Sequence, residues 1–125
     1  MRTREDVESY LIRIGQPYEE VREGLFVIKD VYEDNIVVSL SPPIVVFRLK
    51  VLPVPPNRRE DFFRELLTLN VGDLVHGAYG IEGDNVVLTA SLQLENLDFN
   101  EFQAVVDEFT MAVSNHRERL GRYGK

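Results

Sequence analysis

The cleanest pattern in the chain is an alternation. Val86, Leu88, Ala90, Leu92 and Leu94 alternate with Val87, Thr89, Ser91 and Gln93. That period of two predicts a strand with one buried and one wetter face. A partner strand is predicted over residues 76–82, joined to it through Gly83-Asp84-Asn85. Upstream, residues 25–32, 36–40 and 44–52 are rich in β-branched and aromatic side chains and read as three further strands. Residues 18–22 form a possible short strand before them. Glu23-Gly24, Glu33-Asp34-Asn35 and Ser41-Pro42-Pro43 supply the turns, and Pro53, Pro55 and Pro56 end the last of the three. Strands this closely connected are expected to run as an antiparallel meander.

The period changes to that of a helix in three places. Val7, Tyr10, Leu11 and Ile14 make one stripe over residues 4–14, with Thr3 as the expected N-cap and Gly15 as the stop. Asn57 with Glu60 three residues on resembles a capping box, so the second helix is expected to start there and to end at Asn70 or Gly72. Asp98 caps the third helix, over about residues 99–120. Its long face carries Phe102, Val105, Val106, Phe109, Ala112, Val113, His116 and Leu120. The expected architecture is therefore α+β: an antiparallel sheet in the order α-β-β-β-α-β-β-α, with an optional short strand after the first helix. No repeat, low-complexity tract or linker interrupts it, so residues 1–125 are expected to form one domain.

Composition narrows the functional classes. The 125 residues contain 14 Lys and Arg against 21 Asp and Glu, a formal charge of −7. Nucleic-acid binding rests on basic residues neutralising phosphates, and this balance argues against it. With no cysteine, the chain has no disulfide, Cys-based zinc site, iron–sulfur cluster or thiol nucleophile. The stretch 42–56 is nearly apolar but carries Arg48, Lys50 and five prolines, too short and too broken to span a bilayer. Residues 1–6 show no apolar run of a targeting signal. A cytoplasmic protein without membrane contact is expected.

Candidate chemistry is sparse. His116 lies at helical spacing from Phe109, Ala112, Val113 and Leu120 and reads as a packing residue. His76 is expected to begin a strand near Asp73, and no H-x-x-x-H or His/Asp spacing supports a metal. Gly77, Gly80 and Gly83 match neither phosphate-loop pattern and read as glycines of an edge or bent strand. The carboxylates of Glu5, Asp6, Glu8, Glu19, Glu20, Glu33 and Asp34 fall in helix starts, an edge strand or a turn, where solvated positions are expected. No serine sits in a nucleophile motif. No catalytic residue, cofactor or metal is expected, and the protein is read as a non-enzyme.

The apolar excess says more. Along residues 44–54, Val45, Phe47, Leu49 and Val51 share one face. The other holds Ile44, Val46, Arg48, Lys50, Leu52 and Val54, so both faces are largely apolar. In the second helix Leu69, Phe62, Leu66, Phe63 and Leu67 cover roughly 160°, wider than a single contact needs. Either helices cover both sheet faces or a second chain does, and a homodimer is expected. Val46, Arg48, Lys50, Phe63 and Leu67 are the expected partner or dimer contacts.

Three stretches carry a resemblance: Leu66-Leu67-Thr68-Leu69-Asn70, then residues 77–88 with their Gly-x-Tyr and acidic turn, then Leu92-Gln93-Leu94-Glu95-Asn96-Leu97-Asp98 and the last helix. With the element order, they resemble the type III secretion chaperone-like fold, and within it the YbjN family and the CesT-like Tir-chaperone group. The resemblance implies a small acidic α+β homodimer without cofactor or catalytic site, binding a non-globular segment of a partner polypeptide along apolar patches. Strand addition or helix-in-groove docking would be the physical route. The alternative is a small-molecule-binding or enzymatic domain with a sheet–helix cleft near His76, Asp73 and Tyr79. Nucleic-acid regulation is the least favoured reading.

Overall fold

A computed structural model describes residues 1–29 and 35–124. The elements are α1 (Arg4–Ile14), β1 (Tyr18–Arg22), β2 (Leu25–Ile28), β3 (Ile36–Ser41), β4 (Ile44–Pro53), α2 (Arg59–Gly72), β5 (Ala78–Glu82), β6 (Asn85–Gln93) and α3 (Phe99–Gly121). A 3-10 turn, Arg122–Gly124, follows. The expected α+β order holds, and the optional first strand is present. Residues 30–32 of the expected strand 25–32, and turn residues 33 and 34, lie outside the described residues.

Local signals set most boundaries. Thr3 and Asp6 cap α1 reciprocally, and Gly15 closes it in the left-handed region at φ 83°. Asp98 and Glu101 do the same for α3. The expected capping box of α2 does not form. Arg58, not Asn57, is the N-cap, with φ 57° and no side-chain cap bond. Left-handed backbone at a non-glycine costs about 1 kcal/mol or more. The Arg58 guanidinium lies 4.7 Å over the Tyr123 ring, a contact from the far end of the chain that favours this start. Glu60 and Asp61 still supply negative charge to the first turn.

The sheet is six-stranded and antiparallel, in the order β1-β2-β3-β4-β6-β5. Its two faces differ. Phe26, Ile28, Ile36, Val38, Val45, Phe47, Leu49, Tyr79, Val86 and Leu88 point into the core with Val7 and Leu11 of α1, Phe62, Leu66 and Leu69 of α2, and the long face of α3. Phe47 is at the centre, fully buried, with Phe102 edge-on at 5.1 Å and Phe109 at 6.4 Å. The core residues of sheet and helices thus share one side. The side chains between them in sequence point the other way.

One ion pair ties α1 to the β1–β2 hairpin. Arg4 holds the Glu20 carboxylate through two of its guanidinium nitrogens, Nε donating to Oε2 at 2.8 Å and Nη2 donating to Oε1. The Gly24 N–H donates to the same carboxylate at 3.0 Å. Glu20 is thus not the solvated edge carboxylate expected. The Arg4 bond first, then the Gly24 N–H, lower its carboxyl from an ordinary 4.5 to about 2.

Two measurements follow. Phe47→Ala should cost about 3–5 kcal/mol of unfolding free energy in urea titration, from lost burial and the cavity left behind. Met111→Ala, at an exposed position, should stay within about 0.5 kcal/mol. Because folding depresses the Glu20 carboxyl, its stabilisation is present above pH 4.5 and is lost as pH falls toward about 2. Glu20→Gln should flatten the stability–pH curve in that interval, and an unchanged slope would contradict the assignment.

Candidate partner-binding surfaces

The strand register lays out the face turned away from the helices. Val37 is paired with Arg48, Ser39 with Val46 and Ser41 with Ile44. On the other side of β4, Arg48 is opposite Thr89, Val46 opposite Ser91 and Lys50 opposite Val87. Leu25 and Val27 extend the same rows onto β2. Val37, Ile44, Val46 and Arg48 are only half-buried, and Lys50 is exposed. Three of the five expected contact residues, Val46, Arg48 and Lys50, therefore stand together on the sheet face turned away from the helices. Arg48 is ion-paired with Glu82 of β5. Lys50 makes no ion pair among the described residues.

Phe63 and Leu67 belong to a different surface. Around α2, burial takes in Leu69, Phe62 and Leu66, leaves Phe63 half-buried and stops before Leu67, which is 66% exposed. The wide arc is thus divided between core and surface. Val71 continues the stripe at 88% exposure, and Val75 follows at 83%. Ile81, on the strand beside α2, is also exposed. Val71 was legible as the i+4 neighbour of Leu67 once the helix is carried to Gly72. Val75, in an irregular turn, gave no periodic signal.

The two sheet edges are finished differently. At the β5 edge, the Tyr79 N–H donates to Asn70 Oδ1 at 2.7 Å, and Asn70 Nδ2 donates to the Tyr79 carbonyl at 3.2 Å. Beside it, the Glu108 carboxylate accepts from the N–H groups of Val75, His76 and Gly77, at 2.9, 3.0 and 2.6 Å. These bonds turn His76 out of the sheet, so β5 begins at Ala78 rather than at His76 as expected. A Cβ on Gly77 would meet the Phe109 ring at 3.0 Å. Gly80 and Gly83 have open space, and the three glycines form no site. At the β1 edge, the Lys29 N–H bonds the Pro17 carbonyl at 2.8 Å, which by alternation turns the backbone of Tyr18 and Glu20 outward. No side chain among the described residues bonds those groups.

The expected cleft residues Asp73 and Tyr79 are bridged by His116, and His76 does not take part. The Tyr79 hydroxyl lies 2.7 Å from His116 Nδ1, and Nε2 lies 2.8 Å from Asp73 Oδ2. Burial, and then the charge of Asp73, push the Tyr79 phenol above its ordinary range. It stays protonated and donates to Nδ1, leaving the Nε2 proton for Asp73. His116 is 3% exposed and Tyr79 6%. A cleft of about 490 Å³ adjoins, lined by Asp73, Asp107, Glu108, Met111, Asn115 and His116. The hydroxyl that a relay of this order would activate is itself inside the core. The arrangement ties α2, α3 and β5 together. His116 is thus a hydrogen-bonded core residue, more than the packing residue expected. Among the described residues no group of three or more His, Asp and Glu could hold a metal, and no helix is long and apolar enough to cross a membrane.

The chain belongs to the CesT_Tir_1 family. That family's model matches residues 1–125. Its fold is that of type III secretion chaperones and of YbjN, as the resemblance in the sequence implied. The ExsC–ExsE complex aligns with a TM-score of 0.72 at 17% identity, covering 96% of this chain and 97% of that one. YbjN from E. coli gives 0.71 at 13%, covering 94% and 93%. The Yersinia pestis type III secretion chaperone SycH, in complex with a stable fragment of YscM2, gives 0.67 at 10%, covering 90% and 98%. No curated protein sequence matches the chain.

The Asp73–His116–Tyr79 relay is open to test. His116→Ala should cost about 2–4 kcal/mol, because it opens a cavity and strips a buried hydroxyl of its partner. Tyr79→Phe should cost about 1 kcal/mol. In urea titration the double variant should lose clearly less than the sum, since both remove one bond. Strict additivity would show that the two side chains do not interact.

Proposed function

We propose that this protein is a non-enzymatic, chaperone- or adaptor-like homodimer that binds an extended segment of a partner protein. The observation that carries the reading is the apolar sheet face turned away from the helices, where Val37, Ile44 and Val46 are only half-buried. A face of this kind is the surface that strand addition or helix docking uses. The family membership supports it, as does the likeness to a secretion chaperone solved with a fragment of another protein. Partner contact is assigned to Val46, Arg48 and Lys50, with the β1 edge as the place where an extended segment can add a strand.

The homodimer is assigned to the other surface. Phe63, Leu67 and Val71 line one stripe of α2, next to Ile81 of β5. The β5 edge beside it is already bonded by Asn70 and Glu108, so two copies would meet through side chains rather than through a continuous sheet. A cytoplasmic setting suits a chain without cysteine.

Light scattering tests the dimer. The native chain should scatter with the mass of two copies, and Leu67→Asp with Val71→Asp should reduce it to one without unfolding. A native monomer would remove the dimer from the proposal. For partner binding, a random dodecapeptide library displayed on phage should yield clones that bind the native protein and lose binding to Val46→Asp. Enrichment of no clone, or clones indifferent to Val46→Asp, would sink the reading.

A further inference from the structure

We infer that the open sheet face selects partner segments carrying one carboxylate among apolar side chains, and that Lys50 is the residue that reads it. The inference rests on the proposed reading that this face binds a partner segment.

Charge on the face is the argument. The outward side chains of the three central strands are Val37, Ser39 and Ser41, then Ile44, Val46, Arg48 and Lys50, then Val87, Thr89, Ser91 and Gln93. None is acidic, although acidic residues outnumber basic ones 21 to 14 in the chain. Only Arg48 and Lys50 are charged. Arg48 is already neutralised by Glu82 of β5. Lys50 is exposed, makes no ion pair among the described residues, and is opposite Val87, which is 7% exposed. Among the described residues the face thus offers one uncompensated cation set in an apolar surround.

A segment lying here would take the Lys50 ammonium out of water. An apolar side chain opposite it would leave a charge without a partner, and a basic one would add repulsion. A carboxylate would restore the lost hydration with an ion pair shielded from solvent, where such pairs are stronger than at a free surface. Discrimination then comes as much from rejecting the wrong segments as from attracting the right ones.

The test uses the phage-displayed dodecapeptides that bind the native protein and lose binding to Val46→Asp. Those clones should be enriched in Asp or Glu flanked by apolar residues. As synthetic peptides, their Glu→Gln or Asp→Asn forms should bind about fivefold or more weakly. Lys50→Glu should weaken the parent peptides and strengthen their Glu→Lys or Asp→Lys forms, while Lys50→Gln should remove the preference and keep apolar binding. Peptides that need Val46 but bind all three Lys50 forms alike would overturn the inference and leave the binding reading standing. Failure to obtain Val46-dependent clones would overturn both.

Discussion

The packing of α3 across strands β4 and β6 is the contact on which the rest of the molecule depends. Phe47 meets Phe102 and Phe109 there, and the apolar stripe of α3 runs on through Val105, Val106, Ala112 and Val113. Once this helix is in place, α1 packs against it, and α2 lies over the neighbouring strand β5. All three helices thereby fall on one side. A strand with apolar residues on both faces then has one face buried and one left over. The surface assigned to partners is what remains when a single helical layer covers a sheet patterned for two.

The two edges show how that surface is kept apart from its surroundings. An exposed strand edge invites pairing with other chains, and proteins blunt such edges with side chains and charges. At β5 the Asn70 amide takes both outward backbone groups of Tyr79, and Glu108 gathers the N–H groups just before the strand. The relay through His116 anchors the same strand from inside. At β1 the backbone has no such cover among the described residues. Its strand is short, bears a register shift between Glu20 and Arg22, and carries charged side chains. One edge is closed by specific bonds, and the other is protected, among the described residues, by charge and brevity.

Much of this was legible beforehand. The alternation along residues 86–94, the stripes of α1 and α3 and the caps at Thr3 and Asp98 are local features, and each element formed where they pointed. The two-faced strand at 44–54 has Val45, Phe47, Leu49 and Val51 buried, with Ile44 and Val46 half-buried on its other face. Where local reasoning failed, a distant residue had intervened. Asn57 lost the cap as the chain turned at Arg58, against Tyr123. His76 left the sheet because Glu108 on α3 claimed its backbone. Glu20, read as a solvated edge carboxylate, is held by Arg4 on α1.

The chain's own order of apolar and polar residues therefore determined the elements, their antiparallel succession, and the existence of more apolar surface than one layer of helices covers. Only the tertiary structure decided how that surplus divides. It placed Phe62, Leu66 and Leu69 inward while leaving Leu67 and Val71 outside, and it grouped Val46, Arg48 and Lys50 on the bare face. Periodicity reports which side chains share a face but not which face meets a neighbour. That choice depends on contacts between residues far apart in sequence, such as Phe47 with Phe109 and Asp73 with His116, and no local window contains them.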